Sequence, residues 1–574
     1  MVSTAAQITT ALQTAQPGDI FTMTDGMWTN QRIEFAALGT AAEPITLRAQ
    51  TPGQVILNGN SKVKISGAHL VVDGLRFDGG ALAAGDHIVE FRGSRGAATN
   101  SRFTNSAIVN YNPASIDTRY FWVSLYGQNN RVDHNRFEGQ NHSGVTAVVW
   151  RDSGPDNHLI DGNHFLNRPV PINPDDPNGF ETIRIGDSSE SLSNSFTTVQ
   201  SNLFERVDGE IEIISNKSGG NVYQYNTFRE SAGTLTLRHG NDNLVEGNFF
   251  LGNNKSQTGG IRVIGERQTI VNNYIAGVDD RAGGAISISA GVPDSELNEY
   301  YQVKDAVIAH NTLVNVTGNA VTFDDGLGSS GRTLLAQNVT FANNLFRSSG
   351  PAIFEGAQGS GWTWSGNIAS GGSLGSVAGN PGVIVTNPQL VFGADGLWRP
   401  ASNSPAIDAA MVTWSSLTGI DMDGQSRDCA VDIGADEFSS LPVIRGPLTA
   451  ADVGPAWLRS NFAAADFNAS GTVDGTDLAL WRDGFSGAGG PGQGDADVDG
   501  LVDGSDFLVW QRQLDSVNAA SAVATVPEAN SAALFSVAAV VLWFGSFGEA
   551  IHGRVSSKLA PKLADSLKLF TEAI

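Results

Sequence analysis

Residues 199–250 read VQSNLFERVDGEIEIISNKSGGNVYQYNTFRESAGTLTLRHGNDNLVEGNFF. Three times in this stretch an asparagine stands two places before a phenylalanine, at Asn202, Asn226 and Asn248. Related Asn-x-Phe or Asn-x-aliphatic motifs begin at Asn135, Asn163, Asn273, Asn311 and Asn344. The steps from Asn202 to Asn226, Asn248 and Asn273 are 24, 22 and 25 residues. A period of about 20–25 residues, made of short apolar strands and Gly/Asn turns, is the mark of a solenoid. Helical periodicity is missing between the repeats, which argues against a leucine-rich solenoid. The expected fold is all-β, a right-handed single-stranded parallel β-helix. Each asparagine should stack on that of the coil before it, with the aromatic turned into the core.

Length and composition agree with this. A chain of 574 residues exceeds what one ordinary core supports, whereas a solenoid grows coil by coil. Sixty-seven glycines and few lysines suit a turn-rich β protein. Near the start, Ala5, Ile8 and Leu12 share one face of a short helix ended by Pro17-Gly18, placed to cap the first coil. No basic segment followed by an apolar stretch precedes Ala5, so no secretory signal is read there. The single Cys429 excludes an intrachain disulfide framework. The solenoid is expected over 1–440, followed by a small module over 447–517 and a tail over 518–574.

The net charge of −24 includes a cluster of acid after residue 445, where two segments stand out: DFNASGTVDGTD (466–477) and DADVDGLVDGSD (495–506). Asp466, Asn468, Ser470, Asp474 and Asp477 fall at loop positions 1, 3, 5, 9 and 12 of an EF-hand loop, as do Asp495, Asp497, Asp499, Asp503 and Asp506, with glycine at position 6. Both loops are therefore expected to bind Ca²⁺. The 29-residue offset and the apolar helix after each loop resemble a type I dockerin, which implies a cohesin-like partner; a calcium-stabilised spacer would carry the same pattern. Further on, Val526-Pro527-Glu528 before the apolar run Ala532–Phe547 resembles PEP-CTERM sorting signals. That implies an exported bacterial protein, periplasmic, cell-surface or extracellular, with a membrane or sorting contact at its C-terminus. The tail after the run departs from that pattern. No nucleic-acid partner is expected, and the chain is expected to be a monomer.

The charges of the opening stretch are the candidate site. Glu210 and Glu212 alternate on a β-branched run, so both carboxylates are expected on one strand face. Lys217 follows, then Arg238 and His239 about one coil later, and Arg262 one coil after Arg238. The coil before, in NGFETIRIGDS, contributes Asn178 and Arg184. An asparagine carbonyl and two carboxylates form a hard oxygen-donor set suited to Ca²⁺, and two adjacent glutamates repel unless a cation neutralises them. A metal beside lysine and arginines suits a uronic acid carboxylate. With that charge neutralised, the sugar C5 proton becomes removable by the neutral amine of Lys217, and a cation assists the leaving C4 oxygen. The chemistry expected is β-elimination.

The strings NGFETIRIG, GEIEIISNKS and GTLTLRHGNDNLVEGNFF resemble polysaccharide lyase family 6, which includes alginate lyases and chondroitinase B. The opening PGDIFTMTDGMW and the late VDIGADEF resemble the family's ends. The resemblance covers about three-quarters of the chain and implies a parallel β-helix and Ca²⁺-assisted elimination from an anionic polysaccharide. By position it makes Lys217 the base and Arg238 the acid, places the calcium on Asn178, Glu210 and Glu212, and assigns Arg184, His239 and Arg262 to substrate. Some relatives carry a second β-helix where this chain has the calcium-loop module. Mannuronate-rich alginate is the expected polymer, since no basic cluster for sulfate precedes residue 445, although Arg229, Arg267 and Arg281 would form one if brought together. The alternatives are a dermatan sulfate lyase, a mannuronan C5-epimerase and a non-catalytic polyanion-binding surface protein.

Overall fold

A computed structural model describes residues 1–152, 154–393, 395–412, 419–459, 465–468, 473–487, 493–496 and 501–514. The chain winds as a parallel β-helix. Its coils stack into three long parallel sheets of 13, 14 and 12 strands, beginning with Ile20–Met23, Gly26–Thr29 and Arg32–Leu38 respectively. Until the last coils, each coil gives one short strand to each sheet, so residues one coil apart become neighbours about 4.8 Å away.

The Asn-x-Phe motif builds the corner between the first and second sheets. Asn135 donates from its backbone and side-chain N–H groups to Asn163 Oδ1 (3.0 and 3.1 Å). The same pair of bonds links Asn163 to Asn202, Asn202 to Asn226 and Asn226 to Asn248. It continues through Asn273, Asn311, Asn344 and Asn367. Immediately before these asparagines the backbone turns through positive φ, with His134 at 51°, Gly162 at 61°, Ser201 at 52° and Tyr225 at 56°. Such turns disfavour most side chains, and the doubled ladder bonds hold them. Inside, Phe137, Phe165, Phe204, Phe228 and Phe250 form one stack with centroid spacings of 5.1, 4.9, 4.6 and 4.5 Å. Each buried phenylalanine contributes about 2–3 kcal/mol of transfer free energy.

The third sheet is built by the same alternation. Ile183, Ile214, Leu235, Ile261, Ile286 and Val321 lie in register and are fully buried, which turns the residues between them outward. Helix Ala5–Leu12, capped by Thr4, buries Ile8 over the first coil. Trp362 and Trp364 pack on Phe341 and Phe354 in the last coils.

Beyond the last coil the chain runs back along the asparagine corner. Asn343 Nδ2 donates to Val412 O, Asn272 Nδ2 to Ile420 O, and Arg445 lies 3.7 Å from the Tyr225 ring centroid. Gly454 N–H then donates to Gly162 O, and Trp457 Nε1 to Asn105 O at 2.7 Å. The segment expected to open a separate module at 447 is thus a strap along the solenoid. The module proper repeats itself at an offset of 29. Asp474 and Asp503 cap helices Gly475–Gly484 and Gly504–Gln513, Trp481 Nε1 donates to Asp503 O, and Trp510 Nε1 donates to Asp474 O. Met1–Val517 forms one compact unit. Ser470, Asp497 and Asp499, and the whole of Asn518–Ile574 with its PEP-CTERM-like segment, lie outside the described residues. Among the described residues no helix is long and apolar enough to cross a membrane.

Candidate active site

The outer wall of the third sheet carries the charged residues of four successive coils. Arg184 sits on strand Ile183–Ile185, Glu212 and Lys217 bound strand Glu212–Lys217, Arg238 and His239 end strand Gly233–His239, and Arg262 belongs to Thr258–Val263. Two irregularities in register, between Glu212 and Ile214 and between Ser215 and Lys217, bring Lys217 opposite His239. Arg238 is therefore the next residue along from the direct neighbour of Lys217. Arg262 is in register with Thr236, not Arg238.

Glu210 is not on the strand; it lies in the bend before it. Gly209 makes that bend, passing so close to Phe180 O that a Cβ there would stand 2.3 Å from it. Both backbone N–H groups of Gly179 and Phe180 donate to the same oxygen, Glu210 Oε2, at 3.1 and 3.0 Å. Asn178 is exposed, and its side-chain amide donates to Asp176 at 2.9 Å. The acid of that coil nearest the glutamate pair is Glu181, which is buried, with Oε2 lacking any hydrogen-bond partner. Strand register explains the difference. Ile183 pairs with Ile214 across 31 residues, and the same step carries Glu181 onto Glu212 but Asn178 only onto Gly209. That offset was readable in NGFETIRIG once Arg184 was aligned with Ser215.

Burial first, then the charges of Glu181 and Glu212, push the Glu210 carboxyl up to about 8. Among the described residues no ion pair reaches Glu181 or Glu210, and Glu212 meets Arg238 Nε only at 3.8 Å. A second acidic group behaves differently. Asp421, Asp423 and Asp436 bring three ligand atoms within 4.8 Å of one another, the only described residues to do so. Arg399 answers them with bonds of 2.7 Å to Asp436 and 3.1 Å to Asp423. The glutamates are spread more widely, hold one orphaned buried oxygen and have no such arginine. Their match to a hard cation is one of chemistry: carboxylate oxygens, with little positive charge against them, are the donors such an ion takes.

His239 is buried, its Nδ1 has no partner, and its Nε2 lies 3.4 Å from Ser188 Oγ. Burial, helped by Arg238 and Lys217, lowers it to about 3, so it is neutral at physiological pH and able to accept a hydrogen bond. Arg184 stacks 5.0 Å from the Trp150 ring centroid, beside Phe121 and Tyr126. These outward aromatics were hidden in runs that also read as core. Arg262 is bound by Asp325 at 2.8 Å. Arg229, Arg267 and Arg281 do not converge: Arg229 donates to Leu448 O on the second sheet, Arg267 pairs with Asp242 and Glu266, and only Arg281 joins Asn178 and Glu210 in a cavity of about 450 Å³. Of the histidines, His134 turns a corner beside Asp133, and His142 is buried against Tyr120 at 3.9 Å.

A family profile described as Chondroitinase B matches residues 2–396. The chain belongs to that family, polysaccharide lyase family 6. Among solved structures, this family 6 chain is 36% identical to the PL6 family alginate lyase AlyGC with a TM-score of 0.65, over 78% of this chain and 59% of that one. It is 31% identical to a mannuronic acid specific polysaccharide family 6 lyase from human gut microbiota, with a TM-score of 0.60, over 67% of this chain and 90% of the other. It is 29% identical to the PL6 polysaccharide lyase Pedsa3628 from Pseudopedobacter saltans, with a TM-score of 0.58, over 67% and 96%. The chain thus spans less than two-thirds of AlyGC. No curated protein matches it.

Proposed function

We propose that the chain is a calcium-dependent polysaccharide lyase that cleaves a uronate polymer by β-elimination, with mannuronate-rich alginate as substrate. The observation that carries this is the convergence of Glu181, Glu210 and Glu212 with Lys217, Arg238 and neutral His239 on one solenoid wall. Glu181, Glu210 and Glu212 would hold Ca²⁺, with Asn178 at the rim. The chemistry a calcium ion supplies there is neutralisation of the uronate carboxylate, which acidifies the C5–H bond. Lys217 Nζ takes the C5 proton, the C5–H electron pair forms the C4–C5 double bond, and the C4–O bond breaks. Arg238 meets the departing oxygen with its remaining N–H groups, and His239 and Arg184 orient the sugar. AlyGC is an alginate lyase and the gut relative is mannuronic acid specific, which supports the choice of polymer. So does the dispersal of Arg229, Arg267 and Arg281, since a sulfate needs converging donors. Dermatan sulfate is the second reading, favoured by the family's own description.

We extend the proposal to the C-terminal pair of loops as Ca²⁺ sites that dock a cohesin-like partner outside the cell. Buried Asp477 and Asp506, each receiving backbone N–H bonds, support the calcium reading.

The test uses the full chain with polymannuronate, polyguluronate and dermatan sulfate, with and without chelator. Ultraviolet absorbance of the unsaturated product on polymannuronate, lost with chelator and in Lys217→Ala, is expected. No absorbance on any of the three overturns the lyase; altered uronate composition without cleavage would make it an epimerase.

A further inference from the structure

Residues 291–304 leave the wall between strands Ile286–Ser289 and Val307–Ala309 and fold back over it. They are tied down by Gly291 N–H to Leu334 O, Ser191 Oγ to Leu297 O and Gln302 Nε2 to Leu335 O, all between 2.7 and 2.8 Å. This segment reaches Arg238 from two directions. In the guanidinium plane, Arg238 Nη1 donates to Glu299 O at 2.7 Å and Nη2 to Asn298 O at 3.1 Å. From the second direction, Arg238 Cζ lies over the Tyr300 ring, 4.1 Å from its centroid. The same ring stands 4.3 Å from Arg332 Cζ and 5.5 Å from Arg262 Cζ, while Asp325 takes Arg262 at 2.8 Å and Arg332 at 3.7 Å. Three like-charged guanidiniums thus gather round one aromatic ring.

We propose that Tyr300 is a positioning residue for the elimination, its ring fixing the tilt of the Arg238 guanidinium through which it acts. Two carbonyls alone locate a planar group within its plane but leave it free to pitch about the line joining them. A ring at cation–π distance removes that freedom. Each terminal nitrogen carries two N–H groups, so one on each remains for the leaving oxygen, in an orientation the ring sets. Orientation matters because a small misplacement of a catalytic group costs rate more than affinity.

The inference rests on Arg238 meeting the leaving oxygen, and the experiment separates the two. Tyr300→Phe, Tyr300→Leu, Arg238→Ala and the double variant Tyr300→Leu/Arg238→Ala are assayed in the full chain, with thermal midpoints to confirm folding. Tyr300→Phe should stay within about twofold of the parent, because the ring is retained. Tyr300→Leu should lower kcat about tenfold with KM changed less than about twofold. In the Arg238→Ala background Tyr300→Leu should add nothing. Should leucine disturb the segment, Tyr300→Met repeats the test. An unchanged kcat in Tyr300→Leu, a loss confined to KM, or a Phe variant as poor as Leu overturns the role of Tyr300 while Arg238→Ala keeps only a small residual rate. An active Arg238→Ala overturns both.

Discussion

Replacing Glu210 by glutamine should stabilise the calcium-free protein at alkaline pH while abolishing its activity. The carboxyl is held at about 8 against an ordinary 4.5, so folding favours its protonated form. A group raised in this way contributes its full stability below the unfolded value and loses it as pH climbs through the folded one. Between pH 5.5 and pH 8 the parent should lose stability at up to about 1.4 kcal/mol per pH unit, a loss shared among the interacting glutamates. Glutamine carries no charge to lose. It also keeps the local bonding, because Gly179 and Phe180 both donate to one oxygen, which an amide carbonyl can replace. Chemical denaturation with chelator at the two pH values gives the comparison, and added Ca²⁺ should restore the parent at pH 8 far more than at pH 5.5. Parallel pH dependence in the parent and Glu210→Gln, or a variant less stable than the parent at pH 8 in chelator, would refute the reasoning.

Asn226 accepts two bonds from Asn202 and donates to Asn248 and Val199 O; Asn226→Ala leaves buried groups unpaired and should cost about 3–5 kcal/mol, read from the denaturation midpoint. Trp457→Ala removes the bond to Asn105 and the ring lying against Gly53. It should open the strap to protease between residues 440 and 465 without changing lyase rate, since that corner is remote from the third sheet. Asp477→Ala with Asp506→Ala should reduce calcium bound, by calorimetry, to the catalytic site alone, and should abolish the calcium-dependent change in tryptophan fluorescence expected from Trp481 and Trp510, whose indoles bond to the loops.

The solenoid was legible because its repeat is written twice, in the asparagine that bonds coil to coil and in the phenylalanine that stacks behind it. Both are local signals with a fixed step. The candidate site is written differently. Lys217, Arg238, His239 and Glu212 stand on two adjacent coils, so an approximate coil length sufficed to gather them. Glu181 needed the true step of 31 residues, because the preceding coil carries an insertion; Asn178, placed on the calcium by the family resemblance, lines a cavity together with Glu210. Tyr300 and Arg332 obey no repeat: they come from excursions whose lengths the solenoid leaves unconstrained, and the path of segment 291–304 brings Tyr300 to Arg238, whereas Asp325 ends strand Val321–Asp325 in register with Ser289. The wall therefore has two layers of different origin. The repeating layer fixes which charges can meet, since each strand position is tied to its neighbours by backbone bonds on both sides. The excursions fix how those charges are held, as the carbonyls of Asn298 and Glu299 and the ring of Tyr300 do for Arg238. Differences in specificity among family 6 chains are then expected to lie in the excursions, because a change of residue on the wall disturbs two coils, whereas a change in a loop disturbs only what it covers.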